Sequence, residues 1–322
     1  MAKGYHHLTA EERAQIYALK KQGIKQKDIA KNIGKSEACI SNELKRNKGD
    51  RGYRHQQAQK KATERRNKAS KSGIKMSGKT EKLVLSLIRE DWSPEQIAGW
   101  MSKEHGLKIS HETIYKHIWQ DKKSGGTLFK HLRHHGKKYN KRSGKNAGRG
   151  CIPDRVDISE RPAIVEQKIR IGDFEIDTII GKNHKGAIVS LVDRASKYTK
   201  LILVENKCAH TVSLAIQKAM RQIKHLLKTM TADNGKEFAF HKIFAQALGV
   251  DVFFATPYHS WERGLNEHTN GLVRQYFPKQ TDFTKLTQAQ VEAVEKKLNA
   301  RPRKVLNFNT PESFFFQAAK AA

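Results

Sequence analysis

Cysteine is scarce in this chain and poorly placed for chemistry. Cys39, Cys151 and Cys208 are odd in number and form no Cys-x-x-Cys pair. A disulfide framework and a zinc ribbon are unsupported, and a reducing cytoplasm fits. His134 and His135 stand in a basic stretch with no cysteine pair nearby, so metal binding there is not expected. Long apolar runs are missing too. None reaches about 18 residues, and there is no signal-peptide core, so neither membrane insertion nor secretion is expected. Acids are outnumbered, with 32 Asp/Glu against 62 Lys/Arg and a net charge of +30.

The excess of base is uneven. Residues 1–150 carry 36 Lys/Arg against 14 Asp/Glu, a net +22, and residues 151–322 carry 26 against 18, a net +8. A front half of this charge suits a grip on a polyanion. A ribosomal-type basic protein would look the same, so charge alone does not separate the two. A length of 322 residues allows two or three domains, and 37% hydrophobic residues suits globular domains with long solvated segments.

Residues 1–47 read as a helix-turn-helix unit. Thr9 and Glu12 make a capping box that opens a helix ending at Gly23. Ile29, Ala30 and Ile33 mark a second helix, Gly34 the turn, and Ser36 the cap of a third helix through Arg46. With Ile40 and Leu44 inward, Ser41, Asn42, Lys45 and Arg46 face outward, where they can reach base edges or phosphates. Residues 48–80 form a basic arm, either a helix with Ala58 and Ala62 on one face or a charged linker. Residues 81–119 resemble a second helix-turn-helix. Ser93, Pro94 and Gln96 start one helix, with Ile97, Trp100 and Met101 on its buried face, and Gly106 ends it. Ser110 caps the next, whose inward Ile114 and Ile118 leave Thr113, Tyr115 and Lys116 as candidate DNA contacts. Packing against the rest of the chain is the alternative for Trp100 and Trp119. Residues 120–150, rich in Gly, Lys, Arg and His, read as a basic linker.

From residue 151 the pattern changes. Residues 172–180 alternate, with Asp173, Glu175 and Asp177 on one face and Phe174 and Ile176 on the other. AIVSLVD and YTKLILV follow as a hairpin turning at residues 194–197, where Asp193 suits a turn cap. A helix over 209–223, a strand in KTMTAD, a helix over 241–248 and a strand in DVFFATP come next. Three strands in hairpin order, then helix, strand, helix, strand and helices, is the order of an RNase H-like α/β fold. Its central parallel pair would set the first and fourth strands side by side. Asn234 and Gly235 are expected to allow a sharp exit from the fourth strand, and Glu237 to start a helix.

The stretch ATPYHSWERGLNEHTNGLVRQYFP, residues 255–278, holds a loop and then a helix. Leu265, Thr269, Leu272, Val273 and Tyr276 recur as a buried stripe; Glu267, Asn270 and Arg274 share a different, polar face. A polar helix face is bland by itself. Its context is not, because Asp233 ends a strand with 33 residues between it and Glu267, and Asp177 sits in another strand. Two Asp and one Glu of this kind are what a two-metal phosphoryl-transfer site needs, since the carboxylates must hold the ions and offset their charge. Alternation alone leaves Asp173, Glu175 and Asp177 as equal claimants for the first position.

These stretches resemble the catalytic core of DDE transposases and retroviral-type integrases. RPAIVEQKIRIGDFEIDTIIG, TADNGKEF, SWERGLNEHTNGLVRQYFP and LNARPRKVLNFNTPESFF match the IS-thirty family of bacterial insertion-sequence transposases, and the resemblance covers most of the chain. The family pattern, an acid, one residue and then the catalytic Asp before an apolar pair and Gly, chooses Asp177, although Phe-Glu-Ile-Asp stands where Trp-Glu-Gly-Asp is common.

The resemblance implies an RNase H-like catalytic domain over 151–322, with Asp177, Asp233 and Glu267 as catalytic metal ligands. It implies Mg²⁺, with Mn²⁺ able to substitute. It also implies cleavage at terminal inverted repeats, attack of the freed 3′-hydroxyl on target DNA, and no covalent protein–DNA intermediate, so Tyr258 is not a nucleophile. Asn270 and Arg274 become further candidate DNA contacts, and Glu262, in the loop, is not a ligand. A homo-oligomer, at least a dimer on DNA, and a bacterial cytoplasmic setting on the nucleoid are expected. A helix-turn-helix regulator or a metal-dependent nuclease are the alternatives.

Overall fold

A computed structural model describes residues 7–72, Met76, 78–133, 152–257, His259, Glu262 and 264–321. His134, His135 and the rest of residues 134–151, with Cys151, lie outside the described residues, as does Tyr258; the first part of the expected 120–150 linker is helical instead, with one helix running to Lys123 and a short helical turn at Leu128–His131. The chain divides into two compact units, Met1–Ser77 and Gly78–Ala322.

The first unit is built from α1 (Ala10–Lys21), α2 (Gln26–Ile33), α3 (Glu37–Asn47) and α4 (His55–Ser72). Local signals set the first three. The Thr9 hydroxyl accepts from the Glu12 amide while Glu12 reaches back to the Thr9 amide, and Ser36 caps α3 through the Cys39 amide. Gly34 ends α2 at φ 68°, a left-handed conformation that favours glycine. Ile16, Ile29, Ala30, Ile40 and Leu44 form the core. The basic arm contributes to it, since Ala58 of α4 is fully buried. Beneath the core lies an ion pair that the periodicity did not announce. Arg13 Nε and Nη2 donate to the two carboxylate oxygens of Glu43 at 2.9 and 3.2 Å, and the Tyr53 hydroxyl donates to Glu43 at 3.1 Å.

The second unit opens with α5 (Gly78–Arg89), α6 (Pro94–His105) and α7 (His111–Lys123). Ser93 and Gln96 cap α6 reciprocally, Gly106 ends it at φ 65°, and Ser110 caps α7. Ile97, Met101, Ile114 and Ile118 are fully buried, as their spacing implies. A short helix α8 (Ile164–Gln167) precedes the sheet of β1 (Asp173–Ile180), β2 (Ala187–Asp193), β3 (Thr199–Val204), β4 (Thr229–Ala232) and β5 (Asp251–Phe254). Between and after these strands run α9 (Ala209–Met220), α10 (His241–Leu248), α11 (Gly264–Tyr276), α12 (Gln288–Ala300) and α13 (Pro311–Ala321).

The strand order is β3-β2-β1-β4-β5, with β1–β2 and β2–β3 antiparallel and β1–β4 and β4–β5 parallel. This is the RNase H-like arrangement. One face buries Phe174 and Ile176 with side chains of α9, α10 and α13; the other buries Ile179, Ile188 and Leu201 with α11 and α12. The β1 acids therefore face α11. Asp193 caps the β2–β3 turn as expected, accepting from the Ser196 amide at 2.7 Å and the Ser196 hydroxyl at 2.6 Å.

The α5–α7 helices pack on this core. The Phe308 ring occupies the space over Gly99 of α6, where any Cβ would overlap it. Lys304 pairs with Glu95 at 2.8 Å. Asp91, at φ 62° just past α5, is a hub: it accepts from His131 Nδ1 at 2.8 Å, the Tyr276 hydroxyl at 2.9 Å and Lys297 Nζ at 3.3 Å.

Candidate active site

The three acids that share a face of β1 have three different environments. Asp173, almost fully buried, takes a bidentate pair from Arg170 and a hydrogen bond from the Thr229 hydroxyl. Glu175, equally buried, faces Arg194 at 3.3 Å and accepts from the Asn266 amide at 3.3 Å. Asp177 is the one that is half-buried, with one oxygen held by the Thr178 amide at 2.9 Å and the other by Asn270 Nδ2 at 2.8 Å.

Helix α11 is registered on β1 at three points. Asn266, Asn270 and Arg274, spaced four apart, reach Glu175, Asp177 and the Ile180 carbonyl in turn. Four helical residues rise about 6 Å and two strand residues about 6.6 Å, so helix and strand can keep step. Glu267 follows the first of these contacts and precedes the second. Its side chain is exposed.

Asp233 comes from the neighbouring strand. The last β1–β4 partners are Glu175 and Thr231, and Asp177 and Asp233 each lie two residues beyond them, at the same end of the parallel pair. The Asp233 carboxylate accepts from the Gly235 amide at 2.9 Å, and Asn234 Nδ2 donates to the Ala255 carbonyl at 2.7 Å, tying the exits of β4 and β5 together. Gly235 is there for space and not for conformational freedom. Its φ is −69°, whereas an added Cβ would lie 2.8 Å from Asp233 Oδ1 and 2.7 Å from the Glu237 carboxylate.

Glu237 takes its expected place in the first turn of a short helix, Lys236–Phe238, and has a second contact as well. Its Oε1 accepts from the Thr178 hydroxyl at 2.7 Å, so it crosses to β1 next to Asp177. Glu262 lies in the loop and accepts from the Thr256 amide at 2.8 Å and pairs with His259 at 3.2 Å. Among the described residues, no three His, Cys, Asp or Glu side chains stand close enough to hold a metal ion as they are placed. In kind, Asp177, Asp233 and Glu267 supply the hard oxygen donors that Mg²⁺ or Mn²⁺ takes.

The other candidates fall into two groups. Ser41, Asn42, Lys45 and Arg46 are all exposed on α3, and Thr113 and Lys116 are exposed on α7. Tyr115 is half-buried and lines a cleft between α7 and α11. Asn270 and Arg274 are engaged within the protein. The Asn270 carbonyl oxygen accepts from Ser190 Oγ at 3.0 Å, and Arg274 donates to the Ile180 carbonyl at 2.7 Å. Ser190 lies directly opposite Asp177 in the hairpin register, the one signal by which this partner was legible. Arg133 was not legible at all. Its guanidinium lies against Gly271 of α11.

Helix-turn-helix units ahead of an RNase H-like sheet, with acids at the end of its parallel pair, define the class to which integrases and transposases belong. Residues 4–47 match the model of a helix-turn-helix domain, and residues 39–118 that of a homeodomain-like domain. The transposase for insertion sequence element IS4351 of Bacteroides fragilis is 47% identical over 313 residues, covering 97% of this chain and 96% of that one. The transposase InsI for insertion sequence element IS30A of Escherichia coli K12 is 35% identical over 316 residues, covering 95% and 82%. Among solved structures, the catalytic core domain of BIV integrase aligns with 47% of this chain at 18% identity and a TM-score of 0.36, too slight a likeness to add to the strand order itself. The chain belongs to the IS30 family of insertion-sequence transposases.

Proposed function

We propose that this transposase cuts DNA at the ends of its insertion element and joins the freed 3′-hydroxyl ends to target DNA, with Asp177, Asp233 and Glu267 as its metal-holding acids. One observation supports the assignment: α11 is registered on β1 through Asn270 and Asp177, at the end of the parallel pair where Asp233 leaves β4, and Glu267 stands one helical turn before Asn270. Asp173 and Glu175 are poor alternatives, because arginines already offset their charge in a buried setting.

A divalent cation bound by these acids would activate the attacking oxygen and offset charge on the leaving one. The protein's own part is to position. Asn270 and the Thr178 amide fix the Asp177 carboxylate, the Gly235 amide fixes Asp233, and Glu237 braces β1 from the loop after β4. The exposed face of α3, with Ser41, Asn42, Lys45 and Arg46, supplies base and phosphate contacts to the terminal inverted repeats. Thr113, Tyr115 and Lys116 of α7 add to them. The active form is a homo-oligomer on DNA, Mg²⁺ is the working ion and Mn²⁺ replaces it. No helix among the described residues is long and apolar enough to cross a membrane.

The test is transfer of a labelled, pre-cleaved element end into plasmid. Transfer is expected with Mg²⁺ or Mn²⁺ and is lost in chelator and in Asp177→Asn, Asp233→Asn and Glu267→Gln. Robust transfer in excess chelator would overturn the reading.

A further inference from the structure

Residues 131–133, within the span read as a basic linker, reach α11. Arg133 Nη2 lies 2.5 Å from where a Cβ on Gly271 would stand, so the guanidinium rests on the bare spot that this glycine leaves on α11. Gly271 is four residues past Glu267. At about 100° per residue it lies about 40° around the axis from Glu267, on the side away from Asn270. Glu267 is therefore flanked by Asp177, through Asn270, on one side and by Arg133 on the other.

Arg133 is held there. Gln275, one turn further along the same side of α11, donates to the His131 carbonyl at 3.4 Å, and the His131 ring is fixed on Asp91 at 2.8 Å. The place opens into a cleft of about 590 Å³ whose lining includes Arg133, His268, Arg303 and Tyr115. The cleft has more cation than its acids can neutralise. Asp91 already serves His131, Tyr276 and Lys297, and Glu95 is paired with Lys304. Among the described residues neither Arg133 nor Arg303 has a carboxylate partner, and the buried Nε of Arg303 has no hydrogen-bond acceptor. Burial, then the charges of Arg301 and Arg133, pull the Arg303 guanidinium down to about 10. Guanidiniums gathered without a counter-charge suit an anion that arrives with the substrate, and a phosphodiester matches their planar, forked donors.

We propose that Arg133 and Arg303 form a phosphodiester-binding site beside Glu267, filled by the backbone of the element-end strand. The site links the α5–α7 helices to the reacting strand: DNA held by α7 and Arg133 is delivered to α11 in a fixed register. This rests on the reading of Glu267 as a catalytic acid, although the binding itself does not need metal.

The test is binding of element-end duplex to the full chain in chelator, read by fluorescence anisotropy over a salt series. Arg133→Ala is expected to weaken binding about tenfold and to reduce the slope of log K against log salt by about one. Gly271→Ala is the second variant. Its methyl displaces only the end of a flexible side chain, and alanine suits a helix interior better than glycine, so the fold is kept. It should reproduce the Arg133→Ala loss. A scan with neutral methylphosphonate linkages should find one position that weakens the unsubstituted protein about tenfold and leaves Arg133→Ala unaffected. If both variants bind with unchanged affinity and slope, or if no linkage behaves this way, the site is refuted. So is it if inorganic phosphate alone competes as well as DNA does. Strand transfer by Glu267→Gln is scored separately: its persistence would sink the catalytic assignment and leave the binding result standing.

Discussion

The amide nitrogen of Asn270 donates to Oδ2 of Asp177 at 2.8 Å, and its carbonyl oxygen accepts from Ser190 at 3.0 Å. The carboxylate can only accept, which turns the NH2 end of the amide toward it and leaves the carbonyl end for the serine hydroxyl. Asn270 is thereby a positioning residue for Asp177. Asn270→Ala frees the carboxylate, and Asn270→Asp sets a second negative charge against it. Both are expected to lower strand transfer by about 10- to 100-fold, the usual cost of losing a group that orients a metal ligand. Affinity for element ends, measured in chelator, should hardly change. Raised Mg²⁺ should rescue Asn270→Ala better than Asn270→Asp, and equal, full activity of both variants would refute the role.

Glu267 and Glu262 make the sharpest pair. Glu262 is occupied in its loop by the Thr256 amide and His259, and a glutamine oxygen can still accept from that amide. Glu262→Gln should keep most activity. Glu267→Gln keeps shape and loses the charge a cation needs, so cleavage and transfer should both vanish while end binding persists. Pre-cleaved ends isolate transfer from hydrolysis. Near-normal transfer by Glu267→Gln together with failure of Glu262→Gln would reverse the assignment.

Much of this was legible because the signals are local. Capping at Thr9, Ser36, Ser93 and Ser110 is spelled out within three residues, and the strand order follows from two hairpin-joined runs and the alternation that follows. Asp177, Asp233 and Glu267 are proposed as ligands because they stand in stretches that resemble a known family, and their role rests on that resemblance and on the transfer assay. What was not legible depends on distant partners. Arg13 and Glu43 look like surface charges on separate helices until the fold closes over them. Glu237 was legible as a helix start, but nothing near it in sequence shows that Thr178 also lies within reach. Arg133 looked like one of many linker cations. Its meaning comes from Gly271, whose missing side chain is a fact about α11.

The division of the chain at residue 77 changes how the front half should be cut. Residues 1–77 form a unit with its own core, whereas α5–α7 belong to the second unit, where Phe308 covers Gly99. A fragment of residues 1–77 is expected to fold and to bind element ends in chelator, losing affinity steeply with salt. Lys45→Ala should flatten that salt dependence. A fragment of residues 1–119 should bind as well but melt less cooperatively, because α6 and α7 lose their packing surface. Selective binding by residues 78–322 with none by 1–77 would contradict this, and gel shifts with the two fragments decide it.

Asp91 gives the fold a predictable pH dependence. Burial pushes its carboxyl up, but the hydrogen bonds from His131, Tyr276 and Lys297 and the charge of Lys297 outweigh that, so its pKa lies below the ordinary carboxylate value. The sign follows from linkage. A carboxyl that is more acidic in the folded chain adds stability that is fully present above the unfolded value of about 3.9 and is lost as pH falls through the folded value. Asp91→Asn removes that contribution while keeping a group that can accept from Tyr276. At pH 7 the second unit should lose about 2 kcal/mol, a figure set between exposed and buried pairs because the Asp91 side chain is 13% exposed. Approaching pH 3 the deficit relative to the unsubstituted chain should shrink. Tryptophan fluorescence reports on this unit alone, since Trp92, Trp100, Trp119 and Trp261 all lie within residues 78–322. Thermal melts of both proteins from pH 3 to pH 7 make the comparison. A deficit that stays constant, or grows, toward acid would show that Asp91 is held as a neutral packing group and that its ion pairs do not tie α11 and α12 to α5.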